Sequence, residues 1–178
     1  MKVVAIFGRP ACGKSTAMRR HISLLGKGHL VKKGLLKYHV YPDSCSIVMG
    51  EYDEEQFSGT DRLSKAVAPH FRTWLMDMAC DRENFGWVVY WEGERFSNKP
   101  CLDFMYSIFG TFSMRVFLLE VPEEELTTRY EARVQSPTWL LCMKTRMANL
   151  AAMYPLIRAT NESIDSLLNS TRPPNLEL

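Results

Sequence analysis

The chain has 178 residues, of which 46% are hydrophobic and 24% charged. This favours one globular domain, which we place at residues 1–170, followed by a short tail at 171–178 that is expected to fray. No run of about eighteen apolar residues indicates a membrane span, and the N-terminus lacks a signal-peptide pattern, so we expect a cytoplasmic protein with no membrane partner. The net charge of only +2 argues against a strongly basic nucleic-acid-binding protein.

Five short runs rich in β-branched and aromatic residues predict β-strands. They are residues 2–7, 38–41, 46–50, 87–91 and 114–119. The turn-forming sequence Pro42-Asp43-Ser44 between the second and third runs predicts a hairpin or a bend. Helical patterns follow the strands. They cover Ser15 to about Leu25, 61–80, 99–109, 123–135 and 138–153, and a last short helix is expected to end near Leu168.

Prolines punctuate these helical patterns. Pro69 is expected to kink or split the helix at 61–80, and Pro155 to interrupt the helical C-terminal third. Pro122 fits the first position of a helix, and the three glutamates that follow it favour a helix N-terminus. The alternation of strands and helices predicts a three-layer α/β fold, in which helices flank a mainly parallel sheet and ligands gather at the carboxyl ends of its strands.

The basic residues are unevenly distributed along the chain. Residues 1–42 contain nine Lys or Arg and no acid, whereas residues 43–178 hold 13 basic and 20 acidic side chains, a balance of −7. A basic segment of this kind suits a polyanionic ligand. A solvated loop with no partner explains Lys27, Lys32, Lys33 and Lys37 equally well.

Residues 8–15 form a glycine loop with the sequence Gly-Arg-Pro-Ala-Cys-Gly-Lys-Ser, which matches the phosphate-binding pattern G-x-x-x-x-G-K-S. Two glycines allow backbone N–H groups to converge on phosphates, and the helix start adds its dipole. We expect Lys14 to reach the β and γ oxygens of ATP and Ser15 to bind Mg²⁺. The nucleotide-binding residues predicted from this pattern are Gly8, Arg9, Pro10, Ala11, Cys12, Gly13, Lys14, Ser15 and Thr16.

The five cysteines are widely spaced and form no Cys-x-x-Cys pair, so neither a disulfide framework nor a zinc site is indicated. Cys12 is the cysteine within the glycine loop. It is either a small residue that fits the loop or a redox-sensitive thiol.

Several polar residues favour phosphoryl transfer over nucleotide binding alone. Arg129 and Arg133 lie four residues apart, on one face of a predicted helix. They either close over the phosphates and neutralise the charge of the transferring group, or form a solvated face paired with Glu125 or Glu131.

Acidic residues follow two of the predicted strands. Glu92 comes directly after the strand at 87–91, where it either orients Mg²⁺ and takes part in catalysis or is an ordinary capping or surface glutamate. Asp53 and Asp61 are candidates to accept the proton of the attacking hydroxyl. Arg62 and Arg95 are candidates to bind the acceptor. Helix capping by Thr60 or Asp61 is an equally good interpretation.

The order of these motifs resembles that of the P-loop kinases of bacterial viruses that phosphorylate 5-hydroxymethyluracil within DNA. The motifs are Gly8 to Thr16, Gly50-x-Tyr52-Asp53, Phe57-x-Gly59-Thr60-Asp61-Arg62-Leu63-Ser64, Glu92-Gly93-x-Arg95-Phe96, Arg129-x-x-x-Arg133, and Thr145-Arg146 before Asn149-Leu150. The chain differs from the pattern of this family at two places, one in the acceptor region and one in the lid region. Glu94 stands where this family tends to have aspartate, and Met143-Lys144-Thr145-Arg146 stands in place of a glycine-containing lid.

The resemblance implies a P-loop NTPase fold of the nucleoside monophosphate kinase type with a helical C-terminal lid. It also implies ATP with Mg²⁺, and 5-hydroxymethyluracil in DNA as acceptor, within the host cytoplasm if the chain is phage-encoded. Candidate base-stacking platforms are among Trp74, Trp87, Trp91 and Trp139.

Two other functions remain open. A kinase for free nucleosides or deoxynucleoside monophosphates is favoured by the small size of the chain and by Arg62. A nucleotide-dependent switch or binding module is the alternative from a different class, although the sequence contains no Asn-Lys-x-Asp-like motif.

Overall fold

The computed structural model describes residues 1–52, 59–131 and 137–173, without the side chains of Glu131, Pro137 and Trp139. The strands are β1 (Lys2–Gly8), β2 (His29–Lys33), β3 (Leu36–Tyr41), β4 (Ser46–Met49), β5 (Val88–Glu92), β6 (Met114–Leu119) and β7 (Leu156–Ala159). The α-helices are α1 (Lys14–Ile22), α2 (Val67–Cys80), α3 (Lys99–Ser113), α4 (Glu123–Glu131), α5 (Pro137–Met153) and α6 (Ile164–Asn169). Short 3₁₀ turns cover Pro42–Ser44, Thr60–Arg62 and Arg82–Asn84.

The strands form one mixed sheet in the order β2-β3-β4-β5-β1-β6-β7. Strands β4, β5, β1, β6 and β7 are parallel, and β2 and β3 extend the sheet as an antiparallel hairpin. This confirms the predicted α/β fold with a mainly parallel sheet, and the predicted reversal between β3 and β4. Because parallel strands end at the same edge, the glycine loop after β1 lies at the edge where β4, β5 and β6 also end. We call this the C-terminal edge.

Helices pack on both faces of the sheet, so the core has two halves. Alternate residues of β1 face opposite ways, with Val3, Ala5 and Phe7 in one half and Val4 and Ile6 in the other. The first half is completed by apolar side chains of α2, α3 and α5, and the second by those of α1, α4 and α6. Burial on both faces explains why β1 has a continuous apolar sequence. No helix in the described ranges has the length and apolarity to cross a membrane.

Two strands were not predicted from the sequence. Strand β2 is exposed at four of its five positions and carries His29, Lys32 and Lys33, so it has no apolar pattern to reveal it. Residues 156–159 were expected to be helical after Pro155, but they form β7 because they pair with β6 at the edge of the sheet. Both strands therefore depend on a neighbouring strand rather than on their own sequence.

The prediction for α2 was wrong at its N-terminal end. The helix begins at Val67 rather than at Asp61, because Thr60–Arg62 form a 3₁₀ turn. Pro69 neither kinks nor splits the helix. It lies in the first turn, where the backbone N–H that proline lacks would have no intrahelical partner.

We predict that Phe71→Ala lowers the free energy of unfolding by about 3–5 kcal/mol. The Phe71 side chain is fully buried, its ring stacks on Phe96 with centroids 3.9 Å apart, and it meets the edge of Trp91 at 5.7 Å. Urea denaturation followed by circular dichroism measures the change. The control Phe112→Ala removes a side chain that is 94% exposed and should change stability by less than about 0.5 kcal/mol. Equal losses in the two variants would contradict this account of the core.

Candidate active site

The glycine loop lies between β1 and α1, as the sequence predicted. Its backbone has positive φ at Ala11 (58°) and Gly13 (101°). A Cβ added at Gly8 would lie 2.6 Å from Cys12 Sγ, and one added at Gly13 would lie 2.8 Å from Asn161 Oδ1. The Cβ added at Gly8 would also lie 2.7 Å from the backbone oxygen of Leu119, and the left-handed φ of Gly13 is one that other residues rarely adopt, so the curl of this loop favours glycine at both ends.

Lys14 folds back over the glycine loop. Its Nζ donates hydrogen bonds to the carbonyl oxygens of Gly8 and Arg9, both at 2.9 Å. Burial lowers the pKa of Lys14, but interactions with Cys12 and Glu92 outweigh this and raise the pKa above its usual value. The loop therefore holds a positive charge whose hydrogen-bond partners include two neutral carbonyl oxygens. Anionic oxygens would be stronger partners for it.

Glu92 is the last residue of β5 and pairs in register with Ile6 of β1. Its side chain is only 1% exposed, and one carboxyl oxygen accepts a 2.9 Å hydrogen bond from Ser15 Oγ. Burial raises the pKa of Glu92 to about 7, and the opposing effect of Lys14 offsets it only in part. Glu92 is therefore poised to change its ionisation near neutral pH.

The Ser15 hydroxyl and the Glu92 carboxyl are hard oxygen donors of the kind that Mg²⁺ prefers. Within the described residues, no group of three or more His, Cys, Asp or Glu side chains is arranged to hold a metal ion. Magnesium commonly takes only one or two protein ligands and completes its coordination with water and phosphate oxygens. The Ser15–Glu92 pair fits such a site.

A second loop is held tightly against Glu92. Gly59 bonds to Glu51 beyond the end of β4, and Thr60 Oγ1 donates a 2.7 Å hydrogen bond to the carbonyl of Glu92. Gly59 has φ of 72°, and a Cβ added there would lie 2.1 Å from Glu92 Oε1 and 3.0 Å from the Tyr52 hydroxyl, which is buried and has no hydrogen-bond partner among the described residues. Glycine at 59 is therefore what lets this loop approach the carboxyl group.

Asp61 lies on this second loop, beside the buried carboxyl. Its Oδ1 accepts a 2.9 Å hydrogen bond from the backbone N–H of Glu94, which follows β5. The charge of Asp61 contributes to raising the pKa of both Lys14 and Glu92. The structure therefore brings Asp61 together with Lys14, Ser15 and Glu92.

The two arginines expected to bind the acceptor have protein partners. Arg95 donates hydrogen bonds to the carbonyl oxygens of Leu63 and Asp61, both at 3.0 Å, so it clamps the second loop. Arg62 Nε lies 4.0 Å from Glu51 Oε1, which also accepts a 2.8 Å hydrogen bond from Lys37.

Arg129 reaches the glycine loop from α4. Its guanidinium donates a 3.0 Å hydrogen bond to the carbonyl of Ala11 and also pairs with Glu125. Arg129 therefore lies beside the proposed phosphate site and also forms the alternative ion pair with Glu125.

Arg9 pairs with Glu123 and lies 5.6 Å from the ring centre of Tyr130, so it connects the glycine loop to α4. Asp53 and Arg133 lie outside the described residues.

A cavity of about 550 Å³ adjoins the start of α1. Its lining is formed by Ala11, Gly13, Thr16, Arg20, Glu125, Arg129, Asn161 and Glu162. Sequence reasoning missed Asn161 and Glu162. They follow β7, and only the pairing of β7 with β6 brings them to the glycine loop, so no local sequence signal identifies them.

The tryptophans proposed as stacking platforms have different environments. Trp74 and Trp91 are core residues, 4% and 0% exposed, and Trp87 is half-buried. The side chain of Trp139 lies outside the described residues. Stacking on a base is therefore excluded for Trp74 and Trp91 in this conformation.

Comparison of the chain with protein-family models, curated proteins and solved structures found no significant match.

We predict a pH-dependent difference in stability between the wild type and Glu92→Gln. The pKa of Glu92 rises from 4.5 to about 7 on folding, so the folded state binds this proton more tightly. The stability of the wild type should therefore fall as pH rises through this window, by up to about 3 kcal/mol, while the neutral glutamine escapes the loss. Urea denaturation at pH 4.5, 6 and 7.5 measures the difference between the two proteins. A difference that does not change with pH would contradict the assignment.

Proposed function

We propose that this chain is an ATP-dependent kinase that transfers the γ-phosphate of ATP to the hydroxymethyl group of 5-hydroxymethyluracil in DNA. The observation that carries the proposal is the grouping of Lys14, Ser15, Asp61 and Glu92 at the mouth of the glycine loop. In phosphoryl transfer to a hydroxyl, a lysine can stabilise the transferring group, a hydroxyl and a carboxyl group can hold Mg²⁺, and a second carboxyl group can accept the proton.

The glycine loop and α1 supply the ATP-binding side of this site. Backbone N–H groups and the N-terminus of α1 favour phosphate oxygens, which would replace the two carbonyl oxygens that Lys14 contacts now. The adjoining cavity is large enough for a nucleoside, and its Arg129 and Asn161 side chains offer polar contacts to it. These features support the P-loop NTPase interpretation of the sheet and its loop.

Ser15 and Glu92 would hold Mg²⁺, which when bound neutralises charge on the β- and γ-phosphates. Burial makes an isolated Glu92 carboxylate costly, so a nearby cation favours its ionised form. Lys14 supplies a second fixed positive charge for the transferring group. Glu92 is buried and Lys14 and Ser15 are half-buried, and this partial exclusion of water strengthens the electrostatic stabilisation.

Asp61 is the described residue best placed to accept the proton of the acceptor hydroxyl. As the acceptor oxygen bonds to the γ-phosphorus, the bond from that phosphorus to the β–γ bridging oxygen breaks. The proton passes to Asp61, and ADP leaves. The hydrogen bond from the N–H of Glu94 orients the Asp61 carboxylate toward this task.

The acceptor is proposed from the ordered motifs rather than from the geometry of the site. Asp61, Arg62 and Arg95 are matched motif positions, and all three lie around the second loop beside Glu92. The parallel strands and the helices on both faces are compatible with the nucleoside monophosphate kinase architecture, with α4 and α5 as the proposed lid.

The proposal is tested by incubating the protein with γ-labelled ATP and Mg²⁺ and a panel of acceptors. The panel contains DNA with 5-hydroxymethyluracil, the same DNA with thymine, and free 5-hydroxymethyldeoxyuridine and its monophosphate. We expect label in the hydroxymethyluracil DNA alone. Label only in the free compounds would select the nucleoside or nucleotide kinase. Hydrolysis that no acceptor changes would select a switch or binding module.

Replacing Lys14 by alanine should reduce kcat for transfer by at least about a hundredfold, since one such electrostatic contact is worth ~3 kcal/mol. Lys2→Ala is the control. It removes an exposed lysine at the start of β1, at the opposite edge of the sheet, and should leave the rate unchanged. A Lys14→Ala protein that folds normally and keeps more than about a tenth of the rate would refute the role of this residue.

A further inference from the structure

The β2–β3 hairpin points its tip toward the C-terminal edge of the sheet. Strand β3 is antiparallel to β4, and the N–H of Gly50, just after β4, bonds to the carbonyl of Lys37 near the start of β3 at 2.8 Å. The hairpin turn at Gly34, where φ is 60°, is therefore at the same edge as the glycine loop. A Cβ added at Gly34 would meet nothing within 4 Å, so the tip is open to solvent.

Three lysines lie near this tip, Lys32 and Lys37 on one face of the hairpin and Lys33 on the other. Lys32 and Lys33 are exposed, and Lys32 lies directly opposite Lys37 in the strand pair. Like charges at directly opposed positions destabilise an antiparallel pair. Lys37 is compensated by Glu51 at 2.8 Å, whereas no ion pair joins Lys32 or Lys33 to any residue in the described ranges. We call Lys32, Lys33 and Lys37 the hairpin cluster.

Lys32 and Lys33 are far from the glycine loop in the plane of the sheet. Strand β2, which carries them, is four strand spacings from β1, which corresponds to about 19 Å at roughly 4.8 Å a spacing. Nucleotides in a strand follow one another at about 3.4 Å in stacked DNA and at larger intervals when extended. A single nucleotide at Lys14 therefore covers only part of the distance to Lys32 and Lys33, whereas a polynucleotide several residues long spans it.

We propose that the hairpin cluster binds the phosphodiester backbone of single-stranded DNA whose acceptor base lies at the glycine loop. The inference rests on the proposed function, because that function places an acceptor nucleotide beside Lys14 and Asp61. Single-stranded DNA fits, since a base must leave the duplex stack to reach the half-buried Asp61 carboxyl group. Lys37 and Arg62, which lies on the second loop, both contact Glu51, so the hairpin is joined to the loop that carries Asp61.

Lysines on an edge strand also have a structural explanation, because they prevent pairing with the edges of other molecules. The two explanations predict different effects when the charges of Lys32 and Lys33 are removed. Edge protection predicts self-association without a change in DNA affinity. Backbone binding predicts weaker binding to DNA and a smaller dependence on salt.

The test measures binding of the full chain to a fluorescein-labelled single-stranded oligothymidylate, without ATP, by fluorescence anisotropy over a range of salt concentrations. Lys32→Ala/Lys33→Ala should bind about tenfold more weakly at low salt. The slope of log K against log[salt] should become shallower by about 1.4, since each phosphate contact contributes about 0.7. Lys32→Arg/Lys33→Arg should bind as the wild type does.

Lys2→Ala/Arg115→Ala is the matched control, because it removes two exposed cations at the opposite edge of the sheet. It should leave the affinity and the slope unchanged. The proposal is overturned by unchanged DNA binding in Lys32→Ala/Lys33→Ala, by an equal loss in the control, or by self-association in sedimentation without a loss of affinity. Stronger competition by RNA or polyglutamate than by unlabelled DNA would overturn it as well.

A kinetic measurement separates this inference from the proposed function. In the transfer assay, Lys32→Ala/Lys33→Ala should raise KM for the oligonucleotide acceptor about tenfold and leave KM for ATP unchanged. An equal rise in KM for ATP would overturn the proposal. The binding experiment needs no transfer, so it remains decisive for the hairpin cluster even if no acceptor is phosphorylated.

Discussion

The burial of Glu92 is the constraint on which the arrangement of the site depends. A carboxyl group at the end of a central strand loses its hydration, and the charge of Lys14, the Ser15 hydroxyl and the charge of Arg19 compensate this in part. Three segments meet there, namely the end of β5, the glycine loop and the loop at Gly59. Because the group is close to its ionisation point, a bound cation or anion shifts its charge at little cost. The site is thus built to respond to a charged ligand.

The close approach of these segments is possible because side chains are missing where they meet. Gly59 leaves room for the Glu92 carboxyl, and Gly8 and Gly13 leave room for the curl of the glycine loop. Thr60 then fixes the second loop by bonding to the backbone of β5. The same contacts that stabilise the C-terminal edge therefore hold the candidate catalytic groups in place.

Much of this fold is predictable because the sequences of its central strands are recognisably those of buried strands. The sequences of β1, β5 and β6 are apolar enough to identify buried parallel strands, and Pro42-Asp43-Ser44 marks the reversal before β4. Strands β2 and β7 gave no such signal, since they are exposed edge strands whose pairing partners supply their stability. Pro69 was misinterpreted because Thr60–Arg62 form a 3₁₀ turn and α2 starts only at Val67, which places Pro69 in the first turn of the helix.

The residues of the candidate site were likewise predictable from the sequence only in part. The glycine loop and Glu92 were identified because local spacing and strand ends reveal them. Asn161 could not be found, since its contact with the loop depends on β7, and the clamp role of Arg95 depends on the path of the Gly59 loop.

The central claim, that the glycine loop is a triphosphate site closed by Lys14, is tested most directly by nitrogen-15 NMR of the whole chain during titration with ATP and Mg²⁺. The account predicts large shifts of the backbone amides of Gly13, Lys14 and Ser15, with no such shifts on titration with adenosine. Saturating ATP that leaves these amides unmoved would contradict it.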